Sequence, residues 1–199
     1  MSEPLILASA SRARANMLQA AGVAIEVVPA RVDEAELKIA LRGQGLGAAE
    51  AAIALSELKA LQVSRAHAGR LVLGADQMLD CDGAWFDKPD SIGAARDQLL
   101  ALRGKRHRLT SAAVLARDGA RVWHHAASAE LRMRPFTDAF LDGYLGQAGS
   151  EVLSSVGAYH LEGLGAQMFD TVDGDFFVVL GLPLLPVLHI LREQGMLSR

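Results

Sequence analysis

The sequence predicts an α/β fold on a mixed twisted sheet with flanking helices. Strand-like and helix-like segments alternate early in the chain, whereas strands joined by tight turns dominate its middle, which argues against a purely parallel sheet. Of the 199 residues 51% are hydrophobic, enough to fill a sizeable core. No repeat, low-complexity tract or linker interrupts the chain, so one domain over residues 1–199 is expected.

The elements follow in order. Pro4 to Ala8 is an apolar run suited to a buried strand, and it passes through Ser9-Ala10-Ser11 into a helical pattern ending at Gly22. Ile25 to Val28 reads as a second strand, followed by an acidic turn at Asp33 and Glu34. Ala48 to Ala68 is a long Ala/Leu-rich helix with Ile53, Leu55, Leu58 and Leu61 near helical spacing. Leu71-Val72-Leu73 is a buried strand that ends on Gly74-Ala75-Asp76. Asp82-Gly83 tolerates positive φ and turns the chain back toward Phe86-Asp87-Lys88-Pro89, so Asp76 and Lys88 are expected near the base of one hairpin. Ser91 caps a helix to about Arg103. Two strands, His107 to Ala116 and Val122 to Met133, join at Asp118-Gly119, and Thr137 to Gln147 is helical. Gly157 to Gly165 reads as glycine-studded loop and strand, Gln167 to Val172 as a strand, and Phe176 to Leu180 as an apolar strand. Pro183 opens a final helix stopping at Gly195.

Composition removes several functions. Twenty-three acids against 20 Lys and Arg give a net charge of -3, so no overall positive field exists to hold a nucleic-acid polymer. Cys81 is the single cysteine, which excludes an intramolecular disulfide and fits a reducing compartment. The N-terminal stretch lacks a basic segment before its apolar run, and Phe176 to Leu191 is interrupted by Pro183 and Pro186, too short and broken for a membrane span. A cytoplasmic, soluble protein is the expectation. The six histidines have no HxH or HExxH spacing, no GxSxG elbow is present, and Gly43 to Gly47 lacks the third glycine of a dinucleotide fingerprint.

Four places carry candidate chemistry. A strand running into Ser9-Ala10-Ser11, with Arg12 and Arg14 at a helix start, gathers hydroxyls, free N–H groups and guanidinium charge where a phosphate can be held or a helix simply capped. Asp76 follows a buried strand, where a carboxylate can hold a metal, deprotonate water or cap a turn. Lys88, presented rigidly by Pro89, can meet phosphate as a point charge. Lys59 sits beside Leu58 and Leu61, where a lysine snorkels as readily as it reaches a ligand.

Taken together, these segments resemble the Maf family of nucleoside triphosphate pyrophosphatases over essentially the whole chain. The resemblance rests on Leu5-Ile6-Leu7-Ala8-Ser9-Ala10-Ser11, Glu57-Leu58-Lys59-Ala60, Gly74-Ala75-Asp76-Gln77, Asp87-Lys88-Pro89, Gly104 to His107 and Gly181-Leu182-Pro183-Leu184, matching in order and spacing. It implies two lobes around a cleft and metal-dependent hydrolysis between the α- and β-phosphates, with Mg2+ or Mn2+ as the divalent cation. By the same resemblance Asp76, Lys59 and Lys88 are the catalytic candidates, and Ser9, Ser11, Arg14, Gln77 and Glu162 the substrate-binding ones. Asp76 and Glu34 are the metal candidates. The implied partner is a nucleoside triphosphate, with no nucleic acid and no membrane, and a homodimer as an option.

Two departures stand out. The family loop usually continues Pro-Arg-Arg, whereas Arg12-Ala13-Arg14 retains only the second arginine, and Ser154-Ser155-Val156-Gly157 replaces an Asp-Lys-Ala-Gly run. Members acting on dTTP and UTP typically show Ile-Gln-Gly. Here Leu161-Glu162-Gly163-Leu164-Gly165, with Gln77 after Asp76, looks more like members acting on 7-methyl-GTP. A carboxylate accepts from guanine N1–H and N2–H2, which a pyrimidine dione does not offer in that pattern. The alternatives are a dTTP/UTP pyrophosphatase, or a nucleotide-binding regulator of septum formation with weak hydrolysis.

Overall fold

The structure, a computed structural model, describes residues 3–198. Met1, Ser2 and Arg199, which the export-signal reading and the 1–199 domain span include, lie outside the described residues. The strands are β1 (Leu5–Leu7), β2 (Ile25–Val27), β3 (Val72–Cys81), β4 (Ala84–Phe86), β5 (Arg106–Arg117), β6 (Ala120–Met133) and β7 (Phe169–Asp173). The helices are α1 (Arg12–Ala20), α2 (Glu34–Gly43), α3 (Ala48–Ser64), α4 (Ile92–Leu102), α5 (Asp138–Ala148), α6 (Phe176–Val179) and α7 (Leu184–Glu193).

One sheet runs β2-β1-β3-β5-β6-β7, with β4 beside β3. β2, β1 and β3 are parallel, while β3, β5, β6 and β7 alternate in direction, so the sheet is mixed. The short β3–β4 hairpin and the long β5–β6 hairpin both turn on Asp-Gly pairs with positive φ, Asp82-Gly83 and Asp118-Gly119, matching the right-handed twist of their strands.

Alternation along β3 and β5 sorts the core. Val72, Gly74, Asp76 and Met78 face α3, whereas Leu73, Ala75, Gln77 and Leu79 face the other side. That second face is divided. Leu73, Ala75 and Leu115 pack under α1 and α7 in one apolar cluster, and Leu79, Leu109 and Leu131 pack with α4 and α5 in another. Gln77 and Ser111 stand between the two clusters and bond to backbone carbonyls of α6. This is the two-lobed arrangement.

Several expectations need correction. β3 does not stop before Asp76 but continues to Cys81, because its antiparallel pairing with β5 runs unbroken from Val72 to Asp80. Asp76 is therefore mid-strand. What ends is β1, whose last pair with β3 is Leu7 with Leu73, while β4 first pairs at Leu79. The edge of β3 between those points is open, and the cleft enters there. The acidic turn is an N-cap instead: Asp33 accepts from the Glu36 N–H, and Glu34 opens α2. Phe176 to Leu180 is a short helix rather than a strand, since Asp175 Oδ1 caps it at the Val178 N–H and its carbonyls turn toward Gln77 and Ser111. Residues 157–165 hold 3-10 turns and no strand, and the expected strand from Gln167 begins at Phe169.

Candidate active site

Gly74 determines how near α3 comes to the sheet. A Cβ there would lie 2.1 Å from the Ser56 carbonyl oxygen and 2.7 Å from the Ala60 nitrogen. Two residues along the same face stands Asp76, and Lys59 on the adjacent turn of α3 reaches it. The Lys59 ammonium is buried and lies 2.6 Å from Asp76 Oδ1 and 2.8 Å from Glu34 Oε1. Lys59 thus does not snorkel. The paired carboxylates oppose the loss of its hydration, which a lone buried ammonium would not survive as a charge. Asp76 Oδ2 is also buried and has no hydrogen-bond partner among the described residues. Such an orphaned carboxylate oxygen is costly unless a ligand uses it.

Arg14 closes the open edge of β3. Its Nη1 donates to the Ala75 carbonyl at 2.9 Å and to Ser9 Oγ at 3.0 Å, and its Nε donates to the Gly181 carbonyl at 2.8 Å. Burial pushes its pKa below the ordinary arginine value, with Asp76 and Glu34 opposing that shift. Ser11 caps α1, accepting from the Arg14 N–H at 3.4 Å. Lys88 stands at the exposed rim without a salt bridge among the described residues. Shielding by the cleft walls, with Arg14 and Lys59 nearby, lowers its pKa from the usual lysine value. Glu34 titrates below the ordinary glutamate range: desolvation works against its charge, but Lys59, Lys38 and Arg14 outweigh it.

These groups line a cavity of about 810 Å³ together with residues of the second lobe, among them Glu151, Ser154, Tyr159, His160 and Glu162. On that wall Glu162 Oε1 lies 3.5 Å from His160 Nδ1. One wall is therefore cationic and carboxylate-bearing, suited to an anion and a metal, while the other presents an acceptor suited to a base edge.

A family model described as Maf-like protein matches residues 4–194. The chain belongs to the Maf family. A nucleoside triphosphate pyrophosphatase of Paramagnetospirillum magneticum is 58% identical over 190 residues, covering 96% of this chain and 98% of that protein. Another, from Granulibacter bethesdensis, is 49% identical over 194 residues, covering 98% of each. A 7-methyl-GTP pyrophosphatase of Mesorhizobium japonicum is 46% identical over 195 residues, again covering 98% of each.

In this Maf chain the cleft brings together Ser9, Ser11, Arg14, Glu34, Lys59, Asp76, Gln77, Lys88 and Glu162, every candidate read from the sequence. Their engagement differs. The Gln77 amide nitrogen is taken up by Ser111 Oγ and the Val178 and Val179 carbonyls, which leaves only its oxygen for a ligand. Sequence reasoning missed Lys38, which lines the same cavity and pairs with Asp87, although its spacing one turn after Glu34 is visible in the chain. It also missed His160, whose neighbour Glu151 is nine residues away in sequence.

Proposed function

We propose that this chain is a nucleoside triphosphate pyrophosphatase with a house-cleaning role, releasing a nucleoside monophosphate and pyrophosphate. The reading is carried by Asp76: one buried oxygen is held by Lys59 and the other has no partner, beside Arg14 and Lys88 in one cleft. The names of the relatives support the same reaction.

In this reading the Ser9–Ser11 loop and Arg14 receive the phosphate nearest the nucleoside, and Lys88 meets the charge beyond it. Lys59 fixes the plane of the Asp76 carboxylate through Oδ1. Oδ2 then accepts a proton from water as its oxygen bonds to phosphorus, and the anhydride electron pair leaves with pyrophosphate. A divalent cation fits these residues. The described residues contain no cluster of three His, Cys, Asp or Glu side chains, so Asp76 and Glu34 would hold Mg2+ or Mn2+ with phosphate oxygens and water completing its shell. Bound there, the ion would neutralise phosphate charge.

The favoured substrate is 7-methyl-GTP, with Glu162 accepting from the guanine edge, supported by the name of the Mesorhizobium relative. The test is pyrophosphate release from 7-methyl-GTP, GTP, dTTP and UTP with Mg2+ or Mn2+. Expected is the highest kcat/KM for 7-methyl-GTP. Preference for UTP would remove the substrate reading and keep the reaction, and no pyrophosphate from any triphosphate would remove both.

A further inference from the structure

His160 has acceptors on both ring nitrogens. Nε2 faces the Glu151 carbonyl at 3.0 Å and Ser154 Oγ at 3.1 Å, and the Ser154 hydroxyl already donates to that same carbonyl at 2.8 Å, so it offers His160 a lone pair. Nδ1 faces Glu162 Oε1 at 3.5 Å. A neutral imidazole can donate from only one of these nitrogens, whereas the imidazolium donates from both. The backbone leaves the ring little choice of place. The Gly163 N–H bonds the His160 carbonyl at 3.2 Å, and a Cβ on Gly165 would lie 2.6 Å from that oxygen, so the Glu-Gly-Leu-Gly run folds tightly onto His160.

We propose that His160, as an imidazolium, is a positioning residue that holds the Glu162 carboxylate for base selection, and that preference for a guanine-type base falls as His160 loses its proton. This rests on the reading of Glu162 as the base acceptor. When Nδ1 is deprotonated its lone pair faces the carboxylate, and repulsion replaces the charge attraction that orients it. The groups around the ring agree with a retained proton. Glu162 lies beside it on the same turn; Glu151 faces it from the 3-10 turn at Gly149–Ser154, with Arg12 of α1 at 3.3 Å from that carboxylate; and Tyr144 of α5 lies behind, kept neutral by a pKa pushed up to about 12. The His160 pKa is raised above the ordinary histidine value by Glu162 first, desolvation opposing, and by the Glu151 carbonyl.

Two measurements test the proposal. In an NMR titration His160 should show a pKa above the usual value of about 6.5, dropping toward it in Glu162→Gln. A wild-type value at or below about 6.5, or one unmoved by Glu162→Gln, overturns it. The second is the ratio of kcat/KM for 7-methyl-GTP over UTP from about pH 6 to about pH 9 in wild type, His160→Gln and His160→Lys. Dividing the wild-type ratio by that of His160→Lys removes ionisation of the methylated base, common to both. The quotient should fall about fivefold or more as His160 titrates, with His160→Gln low at every pH and His160→Lys restoring the preference. A wild type that prefers 7-methyl-GTP yet tracks His160→Lys throughout overturns this inference alone. A wild type that prefers UTP at low pH overturns it together with the guanine reading.

Discussion

Asp76 is a carboxylate divided in use, with Oδ1 bound to Lys59 and Oδ2 left buried and unpaired. Asp76→Asn keeps an oxygen for Lys59 while removing the charge and the proton acceptor. The fold and nucleotide binding should survive, and steady-state turnover of the preferred triphosphate should drop by about two orders of magnitude or more. Turnover close to wild type would take Asp76 out of the mechanism. Lys88 has no salt bridge among the described residues, so its charge is available to a ligand. Lys88→Ala should weaken a triphosphate far more than the matching monophosphate in calorimetric titrations, because the lysine is proposed to meet charge beyond the first phosphate. Equal losses would assign Lys88 to the nucleoside or the fold. At this scale the sequence was informative where a residue type is unusual in its surroundings: Lys59 among leucines, or Asp76 after an apolar run. It was silent on His160, whose environment depends on Glu151 hidden in a turn, and for Lys38 it showed the spacing after Glu34 but not the partner Asp87, far along the chain.

Among the elements, the α3–β3 contact is the one on which the site most depends. Gly74→Ala would set a Cβ against the Ser56 carbonyl and the Ala60 nitrogen, backbone atoms of a packed helix that cannot move aside alone. A loss of roughly 1–3 kcal/mol in urea unfolding is expected, with a larger fractional loss of turnover, because Lys59 moves with α3. Unchanged stability would mean that the helix shifts freely. The hairpins were readable because Asp-Gly chemistry is local and matches the turn it makes. α6 was not. Phe176 to Val179 is a short apolar run that suits strand or helix alike, and what decides it is the Asp175 cap together with bonds from Gln77, 101 and 102 residues away, and Ser111, 67 residues away, in no local pattern. The end of β3 was misread for a related reason, since pairing with β5 carries the strand past the glycine that punctuates it.

For the molecule as a whole, His107 links stability to pH. It is buried between Tyr159 and Phe169, bonds the Tyr159 hydroxyl at 2.8 Å, and burial lowers its pKa to about 4. The unfolded chain binds this proton first, so the contribution of the neutral ring is whole above about pH 6.5 and is lost as the pH falls toward 4. Between neutral pH and about pH 4 the wild type should lose roughly 3 kcal/mol more unfolding free energy than His107→Gln. Parallel losses in the two proteins would show that the carboxylates alone govern acid unfolding. The alternation of strands and helices, and the ordered run of motifs, made the mixed sheet and the family readable, whereas the open edge of β3 arises only when β1, β4 and β5 are assembled around it. Arg14 crosses that edge to the carbonyl of Gly181, 167 residues later. A ribosome makes the Ser9–Ser11 loop well before it makes Gly181, so a growing chain carries that loop long before Arg14 can be seated. Release of the chain upstream of Gly181 leaves the guanidinium without that anchor, and loop and anchor become one object only after Gly181 has been made.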